Sequence, residues 1–245
     1  MFRPLALLTL AAVLLVATAT DAAAQTSPAE RLTAYRAELD VFRKEYGGAR
    51  ALPDVRFFLF GMGLRTKLIY RDGRLLDART GAVVREWKSG GDVILPADYE
   101  VGLQTADGGK VTLREDEEAV WIEENGKRTA IDGTRSPLKL PAFAGNKYAR
   151  VLRVLHQELL VNVTPAGPVP NFFVYQKPWY RDGAMMALAF KETGNLDVIR
   201  DWILGLRDPY DRLVYLWKLQ ASAQIRVEKT WPHEVRVTLP LQRVP

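Results

Sequence analysis

Residues 99–113 read YEVGLQTADGGKVTL. Tyr99, Val101 and Leu103 alternate with Glu100, Gly102 and Gln104. Asp107-Gly108 interrupts the run, and Val111 and Leu113 then resume the alternation around Thr112. Period-two apolarity on either side of an Asx-Gly pair is the mark of a β-hairpin with one buried face. The same punctuation recurs outward at Asp72-Gly73, Thr80-Gly81, Gly90-Gly91 and Asn125-Gly126, and Val120 and Ile122 flank Trp121. Residues 51–135 are therefore expected to form an antiparallel meander of about six strands. The run Glu115-Asp116-Glu117-Glu118 reads as a solvated strand end. It lacks the alternating ligand spacing and Gly turn of a calcium loop.

Helical spacing flanks this region. Ser27-Pro28-Ala29-Glu30 combines an N-cap Ser, Pro at the first helical position and Glu at the third, a capping box. Leu32, Tyr35, Leu39, Phe42 and Tyr46 follow at helical intervals, and Gly47-Gly48 ends the helix, placed within 25–50. After a Pro- and Gly-containing linker at Ser136 to Gly145, Asn146 is expected to cap a helix striped by Tyr148, Val151, Leu152, Leu155 and Leu159. Pro178 biases Lys177 toward extended backbone, so Phe172 to Tyr180 reads as an extended aromatic approach. Asp182 is expected to cap the next helix and Gly194 to close it. Asn195 caps a third, carrying Leu196, Ile199, Trp202 and Ile203. The fold class is thus α+β.

Composition bounds the chemistry. The 245 residues contain no Cys and two His, His156 and His233, so thiolate sites, disulfides and a multi-histidine metal cage are excluded. The formal charge of +5 is concentrated in the tail. From Arg212 to Pro245 there are six basic and two acidic residues, whereas Gln25 to Asp211 carries 27 basic and 26 acidic ones. Without clustered Lys and Arg along one element, no nucleic-acid partner is expected. Ser27, Ser89, Ser136 and Ser222 lie in no nucleophile-elbow string, and Gly61-Met62-Gly63 does not continue as a phosphate loop. Neither a metal nor a cofactor is implied.

The N-terminus has Arg3, an apolar stretch from Leu5 to Ala19 and the small residues Ala22-Ala23-Ala24. This pattern reads as a secretory signal peptide over residues 1–24, too short to span a bilayer. The mature protein is expected to be periplasmic or extracellular, without stable membrane insertion.

Chemistry concentrates at Trp179-Tyr180-Arg181-Asp182. Sugars are held by aromatic faces against C–H surfaces and by charged groups on vicinal hydroxyls. These four residues supply both at a helix N-terminus, where exposed N–H groups and the helix dipole favour an ionised Asp182. The structural alternative buries Trp179 and Tyr180 in a core and leaves Asp182 as a cap. Residues Tyr148 to Glu158, Pro168 to Tyr175, Trp179 to Ala184 and Thr193-Gly194-Asn195 resemble the start of the helical toroid of six-hairpin, (α/α)6-barrel glycoside hydrolases. Trp179, Arg181 and Asp182 match a Trp-x-Arg-Asp string that, in such barrels, precedes an inner helix and helps hold the sugar.

The resemblance implies a partial toroid over 136–212 and carbohydrate as partner, with hydrolysis by paired carboxylates in intact relatives. It places His156 and Glu158, one helix earlier, as further substrate-binding candidates beside Trp179, Tyr180, Arg181 and Asp182. No convincing catalytic pair emerges. A toroid has twelve helices, and the 63 residues after Asp182 provide for two or three. The barrel is therefore expected to be incomplete, and 213–245 to be a divergent basic tail from a shifted reading frame or a diverged end. Leu213, Leu216, Leu219 and Ala223 are spaced for a helix extension, and Val235, Val237 and Leu239 alternate like a strand. Three readings stay open: a carbohydrate-active relative of these glycosidases, a non-catalytic secreted glycan- or envelope-binding protein, and an inactive fragment.

Overall fold

The computed structural model describes residues 26–47, 56–131 and 137–205, with the backbone of two further strands, Arg226–Thr230 and Glu234–Thr238. The signal-peptide reading and the helix expected from Leu213 lie outside the described residues. Among those described, no helix is long and apolar enough to cross a membrane. The architecture is mixed helix and antiparallel sheet.

Helix α1 (Pro28–Tyr46) starts as its sequence dictates. Ser27 Oγ accepts from Glu30 N at 3.3 Å, and Glu30 Oε2 accepts from Ser27 N at 2.6 Å. Gly47 N donates to Arg43 O at the other end. Its apolar side, with Leu32, Tyr35, Leu39 and Phe42, packs on Tyr148, Val151 and Leu152 of the segment leading into and forming α2 (Ala149–Val161).

Between them, among the described residues, run nine strands rather than about six, in two consecutive meanders. The first sheet is β1 (Phe58–Phe60), β2 (Leu68–Arg71), β3 (Arg74–Asp77) and β4 (Val83–Glu86). The second is β5 (Ser89–Leu95), β6 (Glu100–Thr105), β7 (Lys110–Glu115), β8 (Val120–Glu124) and β9 (Lys127–Ala130). The additional strands are short, and β4 is exposed along its length, so they show little of the alternation that marks a half-buried strand. The hairpin that opens the sequence forms in register, Val101 opposite Leu113 and Leu103 opposite Val111, all four buried. At Asp72-Gly73 and Asn125-Gly126 both turn residues have positive φ (48° and 75°, 52° and 74°), the type I′ geometry of two-residue hairpins.

One core joins the sheets to the helices. Phe60, Tyr70, Leu75, Val101, Leu103 and Leu113 pack with Leu160 and Val161 of α2 and with Ala184, Ala187 and Phe190 of α3 (Tyr180–Glu192). Each such fully buried large side chain contributes about 1.5–3 kcal/mol relative to exposure. The short pair β10 (Val163–Thr164) and β11 (Gly167–Pro168) links α2 toward α3, and α4 (Arg200–Gly205) follows a 3₁₀ turn at Leu196–Ile199. The last strands, β12 (Arg226–Thr230) and β13 (Glu234–Thr238), pair with each other, the latter covering the alternation at Val235 and Val237.

The acidic run corrects the reading of a solvated strand end. Glu115 is 1% exposed. It continues the inward face of β7 after Val111 and Leu113, a consequence of the period of two. Its carboxylate accepts from Gly61 N (2.9 Å), Met62 N (2.7 Å) and Arg65 Nη1 (2.9 Å). Arg65 also donates to the carbonyls of Asp116 and Glu117, both at 2.7 Å. Lys67 Nζ donates to Gly61 O and to Gly63 O, and burial lowers its pKa to about 7 against the pull of Glu115. The loop between β1 and β2 is thus wound around buried charge. Burial pushes the Glu115 carboxyl up, while Arg65 and the two N–H donors oppose that rise. Glu117 and Glu118 stay exposed, and Asp116 pairs with Arg128 at 2.5 Å.

Candidate functional site

The approach to α3 is fixed at its root. Asn162, at the C-terminal end of α2, accepts from Phe172 N through its side chain (2.7 Å) and from Val169 N through its carbonyl (2.8 Å). Phe172 is buried. Asn171 Oδ1 then accepts from Phe173 N and Val174 N, each at 2.9 Å, turning the chain so that Phe173, Val174 and Tyr175 are exposed. Asn162 also begins the sequon Asn162-Val163-Thr164, but its side chain is buried and fully engaged, so the folded state offers no acceptor there.

Helix α3 begins three residues earlier than expected. Trp179 is the N-cap, extended at φ −111° and ψ 124°, and its carbonyl accepts from Gly183 N at 2.8 Å. Asp182 therefore sits in the first turn instead of at the cap. It keeps the favourable position near the exposed N–H groups. Pro178 holds the preceding residue extended, which lets the helix start as soon as the chain clears it.

Trp179 and Tyr180 are 51% and 40% exposed, so the alternative that buries both in a core does not hold. Arg181 is exposed and Asp182 half-buried. Tyr180 stacks on Trp202 of α4, with ring centroids 6.0 Å apart and planes 23° apart. The spacing of α4 gave no sign of this role for Trp202. The signal lay in the small residues of α3, since the Trp202 indole lies against Gly183. A Cβ at Gly183 would collide with that ring and come within 3.0 Å of Pro168. Gly183→Ala is expected to destabilise the protein by about 1–3 kcal/mol and to shift Trp202 emission, read by thermal unfolding and tryptophan fluorescence. A variant with unchanged emission would show that Trp202 is not seated there.

The other two candidates lie apart from each other. His156 and Glu158 are two residues apart on a helix and so point in opposed directions. His156 is 3% exposed, inside the protein between α2 and the turn after α3. Its Nε2 lies 3.0 Å from Thr193 Oγ1 and 3.3 Å from Asn195 Nδ2. Thr193 Oγ1 donates to Ala189 O at 2.9 Å, and among the described residues His156 Nδ1 is buried without a hydrogen-bond partner. Desolvation lowers its pKa to about 4. Glu158 is exposed, and its carboxylate accepts from Asn162 Nδ2 at 3.2 Å. Of the six candidates, Trp179 to Asp182 stand together at the start of α3, with Trp179, Tyr180 and Arg181 exposed. Asn195 occupies the N-cap of the 3₁₀ turn as expected, but its side chain makes no capping bond and instead bridges Lys139 N and O.

Among the described residues no group of three or more Asp, Glu or His side chains is placed to hold a metal. No family model matches the chain, and no curated protein or solved structure is significantly similar to it.

Proposed function

We propose that this chain is an exported carbohydrate-binding protein related to the six-hairpin glycosidases, with α2, α3 and α4 as the opening helices of a toroid. The observation that carries this reading is the exposure of Trp179 and Tyr180 beside Arg181 and Asp182. The anchored loop from Asn162 to Phe172 and the stack on Trp202 hold this surface in place. An aromatic face of this kind binds a sugar ring by apolar contact, and the adjacent charges orient its hydroxyls. Binding is the function these groups supply. Hydrolysis requires two carboxylates across a cleft, and Asp182 corresponds to the binding member of the family string.

The test is titration of the mature chain with a panel of neutral oligosaccharides, followed by tryptophan fluorescence. Trp179→Ala and Asp182→Ala are each expected to weaken binding about tenfold, or ~1.4 kcal/mol, without lowering the melting temperature. Unchanged affinity in both variants would remove this surface from the reading. The exposed Val174, Tyr175 and Leu204 favour a second reading, a non-catalytic protein that docks on the cell envelope. Co-sedimentation with purified cell wall, lost on Tyr175→Ser but kept in Asp182→Ala, would favour it.

A further inference from the structure

The chain between β11 and α3 is anchored as far as Phe172 and then presents three large side chains in succession to solvent. Phe173, Val174 and Tyr175 are 46%, 69% and 60% exposed. Single exposed apolar side chains are ordinary, but three in a row at one turn form a projecting patch of the kind that marks an interaction site. The turn is also built rigidly. Asn171 and Tyr175 pair as an isolated antiparallel bridge, and Pro168, Pro170 and Pro178 restrict the backbone on both sides. Docking therefore orders little that is not already ordered.

The backbone of this turn indicates the kind of surface it meets. The N–H groups of Phe173 and Val174 both donate to Asn171 Oδ1, and that of Tyr175 donates to Asn171 O, each at 2.9 Å. All three donors of the tip are thus satisfied from within. An unpaired backbone N–H is expensive to carry out of water, so this arrangement removes a cost of entering a bilayer interface. A protein partner that adds a strand would find no free donor on these three residues. The charge nearby has one sign. From Leu159 to Arg181 the sequence holds Lys177 and Arg181 and no Asp or Glu, and the next carboxylate, Asp182, is half-buried in the first turn of α3. Lys177 is exposed two residues beyond the tip, and Trp179 two residues further. Aromatic rings beside a flexible cation are the side chains that settle at a lipid headgroup layer.

We propose that the turn from Phe173 to Tyr175 is a membrane-docking tip that holds the protein reversibly on an anionic phospholipid surface. Phe173, Val174 and Tyr175 enter the boundary between headgroups and acyl chains, and Lys177 pairs with lipid phosphate. The contact is peripheral: three residues reach the interface and none spans it. This inference rests on the envelope-docking reading and deepens it, naming phospholipid instead of cell wall as the partner.

The experiment is co-sedimentation of the full mature chain with vesicles of phosphatidylglycerol and phosphatidylethanolamine. Vesicles of phosphatidylcholine and purified cell wall are run in parallel. The anionic vesicles are expected to bind at least about fivefold more tightly than the neutral ones, with affinity falling as salt rises. Val174→Asp should abolish vesicle binding, and Tyr175→Ser should weaken it about tenfold. Lys177→Gln should remove most of the preference for anionic vesicles. All three positions are exposed, so the variants should melt as the parent does. Val83→Ser, which removes another exposed valine from β4, should leave vesicle binding intact. Parental vesicle affinity in Val174→Asp would overturn the assignment, as would equal binding to neutral vesicles. Binding to cell wall but to neither kind of vesicle would overturn it while keeping the envelope-docking reading. Binding to none of the three would remove both.

Discussion

Replacing Glu115 with Gln is expected to cost about 3–5 kcal/mol of folding stability, the largest effect of any single change considered. The guanidinium of Arg65 is 3% exposed and 2.9 Å from the carboxylate. Removal of the negative charge leaves that buried cation without its carboxylate. Gln also offers one acceptor oxygen where the loop presents Gly61 N and Met62 N to two. Urea unfolding should show a lower midpoint at unchanged slope. Replacing both partners, Glu115→Leu with Arg65→Met, should recover much of the loss, since it removes both desolvated charges together. A single Glu115→Gln variant within 1 kcal/mol of the parent, on the order of a surface substitution, would show that the pair does not organise the loop.

Acid is expected to weaken the fold through His156 well before most carboxylates titrate. The residue is neutral and buried, with a folded pKa of about 4, whereas the unfolded chain binds the same proton near pH 6.5. A depressed folded pKa means that the unfolded state holds more protons within this window. Stability therefore rises with pH there, is complete above about 6.5, and is lost as pH falls toward 4. The size is roughly 2–4 kcal/mol. His156→Gln should remove this contribution. The stability difference between parent and variant should therefore change between pH 7 and pH 4.5 in the parent's disfavour. A difference that stays constant across the range would sink the assignment. The motion most affected is local, since His156 ties α2 to Thr193 and Asn195 at the end of α3.

Much of the candidate surface was legible before any coordinates. Trp179, Tyr180, Arg181 and Asp182 stand together because they are consecutive, and exposure at a helix start follows from Pro178 and the loop before it. What adjacency could not reveal was support from a distance. Trp202 reaches Tyr180 across a turn and another helix, and Gly183 is small because of it. His156 and Glu158 show the reverse error. Proximity in sequence on a helix placed one side chain in the core and the other in solvent.

Local chemistry sufficed wherever the energetic preference is local. The capping box at Ser27 and Glu30, the type I′ turns at Asp72-Gly73 and Asn125-Gly126, and the period-two face of β6 and β7 form as the residues demand. Each depends on backbone geometry and hydrogen bonds within a few residues. Tertiary structure decided the cases where a polar group had more than one partner to choose from. Asn146 was placed to cap α2, yet its side chain serves Tyr148 N, while Val151 N in the first turn is capped by Glu38 of α1, 113 residues away. Glu115 belongs to an acidic run, yet lies inside because Arg65 and two backbone N–H groups meet it there. The alternation of β7 fixes the direction of that side chain. Only the assembled fold supplies the donors that make its burial tolerable.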